Sequence, residues 1–194
     1  IGPRKVPAGN GAKWIFQGYS LFKKNPFAWV FTIIIYFLVA GIMQIIPILG
    51  PIVFNLFNPV FSAGFIHGAQ EQSRGGDFKI GHLFYGFSNN FGQLVLFGLF
   101  YLVMTFVIIG LPIALIVVFG AFSFTDPSAL ANPSSIIIII IISLMIFLMF
   151  IPLMMAYWFA PALISVNKIP LVEAAKMSFK GCLANMLPFT IYSL

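Results

Sequence analysis

Charged positions in this chain fall in clusters, and long apolar runs separate them. Residues 25–70, 80–125 and 127–167 contain no Asp, Glu, Lys or Arg. Each run exceeds the roughly 20 apolar residues that one helix needs to cross a bilayer core. The first is long enough for two crossings. Backbone groups in hydrocarbon must pair within their own segment, so these runs predict helices. Barrel strands would alternate apolar and polar positions, and the stretch Ile136 to Ile142 does not.

The pattern predicts an all-α, polytopic transmembrane helix bundle in a single domain over 1–194, with about five crossings visible. The first is placed at about 27–46, after Asn25 as cap and Pro26 in the first turn. An uncharged turn, Pro47-Ile-Leu-Gly-Pro51, leads to a second at about 52–69, which Pro59 should kink. The third, about 93–122, exceeds one bilayer thickness, so it must tilt, or bend near Gly110 and Pro112. A polar loop, Ser123 to Ser135, precedes the fourth at about 136–166, with bends expected at Pro152 and Pro161. A fifth starts near Met186, and only 186–194 of it is present.

Charge then sets the orientation. Residues 1–26 carry Arg4, Lys5, Lys13, Lys23 and Lys24 and no acid. Arg74 and Lys79 follow the second crossing; Lys168, Lys176 and Lys180 follow the fourth. The alternate loops hold only Asp126. Basic residues favour the cytoplasmic side, so an inside N-terminus places all ten Lys and Arg there. The net charge of +6 is thereby assigned to orientation, and no nucleic-acid partner is expected.

Each basic segment also has helical amphipathicity. Ile15, Tyr19 and Phe22 line one face of the first, opposite Lys13, Gln17, Ser20 and Lys24. Ile80, Leu83, Phe84, Phe87 and Phe91 form the stripe of the second. Val172, Ala175, Phe179 and Leu183 form that of the third, opposite Glu173, Lys176 and Lys180. The local text echoes itself in Gly18-Tyr19-Ser20, Gly86-Phe87-Ser88 and Ser178-Phe179-Lys180. These segments are expected to be elbows leading into crossings; lipid sensing or partner docking is the alternative.

No catalytic constellation accompanies this frame. The chain lacks H-E-x-x-H, G-x-S-x-G and a Gly-rich phosphate loop with Lys. Its four acids, Glu71, Asp77, Asp126 and Glu173, lie outside the expected core, and no ionisable group is evident at the depth where a coupled carrier would place one. His67 and His82 are the only candidate metal ligands and read as interfacial polar residues. The single cysteine, Cys182, permits no internal disulfide. No enzyme activity, metal or cofactor is expected. The most polar set within the spans is Asn55, Asn58 and Ser62 on one face of the second crossing, with Gln44 on the first. Gly64-x-x-x-Gly68 continues it, so this face is a candidate for helix packing or for a polar ligand. Lys13, Lys23, Lys24, Lys176 and Lys180 are the candidate interfacial cations. Trp14, Trp29, Tyr157 and Trp158 are assigned to interfacial anchoring.

Several pieces of the text resemble a family of uncharacterised bacterial inner-membrane proteins. They are Val6-Pro7-Ala8-Gly9, Trp14-Ile15-x-x-Gly18, Phe22-x-x-Asn25-Pro26, Pro47-x-x-Gly50-Pro51, Asn58-Pro59-Val60-Phe61-Ser62-Ala63-Gly64 and Phe159-Ala160-Pro161-Ala162. That family is distantly similar to the membrane domain found beside some glycerophosphodiester phosphodiesterases. The resemblance implies a multi-pass protein of the bacterial inner membrane with about six crossings. It carries over no catalytic residue. The expected function is a non-catalytic accessory, assembly or scaffold subunit. Its partners would be membrane lipids and another integral membrane protein, or a second copy of itself. The alternative is a transporter or lipid-handling protein using the bent helices and the polar face of the second crossing.

Overall fold

The computed structural model describes residues 3–124 and 133–193, and among these the regular elements are all helical. The expected loop around Asp126 lies largely outside the described residues. Helix α1, Asn10–Lys24, is the first basic elbow. Asn25 then caps α2, Pro26–Gln44: its side chain accepts from the Ala28 N–H at 3.2 Å, and Pro26 occupies the first turn. Helix α3 spans Leu49–Ser73, with Pro59 inside it. The second elbow is a 3₁₀ turn, Ile80–Phe84, followed by the short α4, Tyr85–Ser88. Helix α5 is Phe91–Phe124 and continues past Pro112. Helix α6 is Pro133–Trp158 and α7 is Ala160–Ser165. The third elbow is α8, Leu171–Ala184, and α9, Met186–Ser193, follows it.

Among the described residues, four stretches are long and apolar enough to cross a membrane: Pro26–Gln44, Leu49–Ser73, Phe91–Ala114 and Ser135–Ser165. They coincide with the four complete crossings expected from the sequence. The fourth is interrupted at Phe159, between α6 and α7, two residues before the expected bend at Pro161.

The turn between α2 and α3 is tight enough to be strained. The Leu49 N–H donates to the Pro47 carbonyl at 2.7 Å, closing a three-residue γ-turn around Ile48. Ile48 has φ 67° and ψ −56°, a region β-branched residues avoid. Gly50 follows where α3 turns back onto α2; a Cβ there would collide with the Met43 carbonyl oxygen.

The chain divides into two compact units. One comprises Ile1–Leu99 and Met155–Leu194, and contains the three elbows, α2, α3, the start of α5, and α7 to α9. Its core is Val60, Ala63, Leu94, Phe97, Ala160, Ile164 and Ala174, drawn from α3, α5, α7 and α8. The other comprises Phe100–Met154, the remaining lengths of α5 and α6. Tyr101 and Phe150 meet edge to face within it at 6.4 Å, and Ile108 is buried. Among the described residues most of its other large side chains are exposed, including Val103, Phe106, Leu111, Ile136 to Ile141, Phe147 and Leu148. A helix that is apolar on every face suits hydrocarbon surroundings.

Candidate functional site

The site with the most chemistry is the layer of elbows, all within the first unit. Each elbow meets the following helix at an asparagine, and each junction reaches another elbow layer element. Asn25, between α1 and α2, donates through Nδ2 to the Phe78 carbonyl at 3.3 Å, at the entry to the second elbow. Asn90, between α4 and α5, donates to the Ile164 carbonyl at 2.6 Å, on α7. One turn on, the Gln93 side chain accepts from the Leu171 N–H at 3.3 Å, at the start of α8. Asn185, between α8 and α9, closes the ring. Its Oδ1 accepts from the Val6 N–H at 2.8 Å, and its Nδ2 donates to the Arg4 carbonyl at 3.0 Å and the Gly181 carbonyl at 2.9 Å. The ring therefore runs from the first elbow to the second through Asn25, from the base of α5 to the third elbow through Gln93, and from the third elbow to the segment ahead of the first through Asn185, while Asn90 ties the second junction to α7. Amide side chains suit this task because one group donates and accepts at once.

Packing reinforces the ring. Along α3 the neighbours approach at every fourth residue, one face of a helix. Gly98 of α5 lies against the Leu56 carbonyl, and Gly86 of α4 against the Val60 carbonyl. Gly64 lies under the Leu83 carbonyl, and Gly68 under the Phe78 ring and beside His82. A Cβ at Gly64, Gly86 or Gly98 would strike backbone. The small-residue face thus meets the second elbow and α5 of the same chain. Trp29 stacks on Phe78 at 3.9 Å and donates through Nε1 to Gln72 Oε1 at 3.0 Å. Gln72 is buried, and its carbonyl accepts from Lys24 Nζ at 3.3 Å.

Ser178 holds the interruption of the fourth crossing. In an intact helix the Phe159 N–H would donate to the Met155 carbonyl. Here the fully buried Ser178 hydroxyl stands between them, accepting from Phe159 N–H at 2.9 Å and donating to Met155 O at 2.7 Å. Cys182, one turn along α8, also points at Met155 O, with Sγ at 3.5 Å. Burial pushes its thiol up to about 11, so it remains protonated at neutral pH.

The polar residues singled out in the spans are distributed as follows. Asn58 Oδ1 accepts from the Tyr36 hydroxyl at 3.3 Å, linking α3 to α2. Asn55 Nδ2 donates to the Pro51 carbonyl of its own helix at 2.8 Å. Ser62 is half-buried on the same helix, and Gln44 is exposed at the end of α2. Lys13 and Lys23 are exposed on α1, with Lys23 Nζ 5.0 Å from the Tyr19 ring centroid; Lys176 and Lys180 are exposed on α8. His67 stacks on Tyr85 at 3.6 Å and lies edge-on to His82 at 5.2 Å. His82 Nδ1 accepts from the Lys79 N–H at 3.3 Å. Burial first, then the neighbouring His67, lowers its affinity for a proton; Glu71 opposes this and Lys79 adds to it. Among the described residues, no three His, Cys, Asp or Glu side chains cluster as a metal site would need.

Two hollows flank α8. One, of about 330 Å³, is apolar and lies between the N-terminal segment, α1, α7, α8 and α9. The other, of about 660 Å³, is bordered by Glu173, Lys176 and Lys180. Leu163 and Met177 line both. Sequence reasoning did not single out Ser178, Gln72 or the junction asparagines as a set. The signal was present: an Asn stands at the end of each amphipathic segment.

Comparison with known proteins adds one relative. The chain is 28% identical, over 98% of its length and 73% of the relative's, to a protein of Burkholderia thailandensis described as a probable inner membrane protein. No family model and no solved structure matches. The relative and the four apolar helices support a membrane protein akin to uncharacterised bacterial inner-membrane proteins. The likeness to the membrane domain beside glycerophosphodiester phosphodiesterases rests on the sequence motifs alone.

Proposed function

We propose that this chain is a non-catalytic scaffold or assembly subunit of the bacterial inner membrane, with its N-terminus and all three elbows in the cytoplasm. The observation that carries the reading is the ring of amide contacts made by Asn25, Gln93 and Asn185. It fixes three basic elbows into one rigid layer, while the span polar groups Thr32, Asn55 and Asn58 bond within the chain. Polarity spent on internal structure favours a framework over a cargo path. The broad apolar flanks of Phe100–Met154 offer surface for another membrane protein.

The test is a photo-crosslinking residue placed at Phe106 or Ile138 in native membranes, followed by mass spectrometry. A single protein crosslinked in stoichiometric yield at these positions, and not at the elbow residue Gln17, fits a scaffold that docks through its apolar flanks. Crosslinks to lipid alone contradict it.

A further inference from the structure

The two hollows adjoin at Leu163 and Met177, which line both, and the geometry points to a binding site there for a single acidic glycerophospholipid. The apolar half is walled by Trp14, Phe159, Met177 and Phe189 and floored by Gly181. Its volume of about 330 Å³ fits part of an acyl chain, not a whole lipid. Gly181 keeps it open: the nearest atoms to a Cβ there are Pro3 Cβ at 3.8 Å and Phe159 Cδ2 at 3.9 Å, so a methyl fits and a larger side chain would enter the hollow.

The polar half presents Lys176 and Lys180, one helical turn apart on α8, both exposed. Two ammonium groups at that spacing can share one phosphate diester. Glu173 borders the same hollow a turn earlier. A carboxylate there repels a second anion but accepts from hydroxyl donors, as the glycerol headgroup of phosphatidylglycerol supplies. The apolar hollow faces the Met177–Gly181–Asn185 stripe of α8, the charged one the adjacent Glu173–Lys176–Lys180 stripe. A phosphate on the lysines therefore has its glyceride side toward the acyl hollow across Leu163. Free phosphate would satisfy the lysines and leave the apolar half empty; the joined halves select an amphiphile. This site stands independently of the scaffold reading.

The experiment is native mass spectrometry of the full chain released from nanodiscs of phosphatidylcholine containing a minor fraction of phosphatidylglycerol. One retained phosphatidylglycerol is expected, enriched about tenfold over its share of the bilayer. The K176Q/K180Q variant changes only exposed side chains and should lose that enrichment. G181L should lose the retained lipid, whereas G181A should keep it; circular dichroism and melting temperature monitor the fold of each. Excess inorganic phosphate should not displace the lipid. Retention in proportion to bilayer composition, unchanged enrichment in K176Q/K180Q, or displacement by inorganic phosphate would overturn the proposal.

Discussion

Ser178 concentrates the energetics of the third elbow in one hydroxyl. It replaces the helical hydrogen bond lost at Phe159, and it is fully buried. Ser178→Ala leaves the Phe159 N–H and the Met155 carbonyl without this partner, so a loss of about 1 kcal/mol is expected. Denaturation in mixed micelles measures it. Ile48 gives the opposite sign. Its positive φ is stored strain on an exposed side chain, so Ile48→Gly should stabilise by about 1 kcal/mol in the same assay. His82 adds a pH dependence. Its proton affinity is lowered in the fold, mainly by burial and by His67. Its contribution to stability is therefore complete above the ordinary imidazole value of 6.5 and declines as pH falls through the lowered value. Melting temperature should drop on the acid side of 6.5, and His82→Gln should flatten that slope.

At the scale of elements, hydrophobic patterning made the four complete crossings legible, because lipid permits only helices there. The caps were legible too: Asn25-Pro26 stands where α2 begins. The amphipathic elbows appeared as stripes at helical spacing, and all three are helical. What the sequence withheld was pairing. Gly64-x-x-x-Gly68 announces a close approach without saying to what, and the partner proved to be backbone of the same chain around Leu83. Trp29 carries an interfacial composition signal, yet its ring stacks on Phe78 and its N–H reaches Gln72. Such contacts depend on register between distant segments, which a one-dimensional pattern does not encode. Gly64→Leu should destabilise by about 1–3 kcal/mol or prevent folding, because the obstacle is backbone. Gly41→Ala, with open space around it in α2, should be neutral or slightly stabilising. Comparing the two by thermal unfolding separates close approach from helix propensity.

At the scale of the whole molecule, two independent patterns meet, charge and hydrogen bonding. Clustered Lys and Arg favour one side of the membrane for all three elbows, and Asn25, Gln93 and Asn185 tie the elbow segments to one another. An elbow on the wrong side could not take part in the ring. Cysteine accessibility tests this directly in a Cys182→Ser background, with single cysteines at Lys13, Arg74, Lys176 and Gln44. Intact spheroplasts are treated with a membrane-impermeant maleimide, before and after permeabilisation. Labelling is expected at position 44 in intact spheroplasts, and at positions 13, 74 and 176 only once the membrane is opened. Labelling of any one elbow position from outside, while another needs permeabilisation, would contradict the ring and the orientation together.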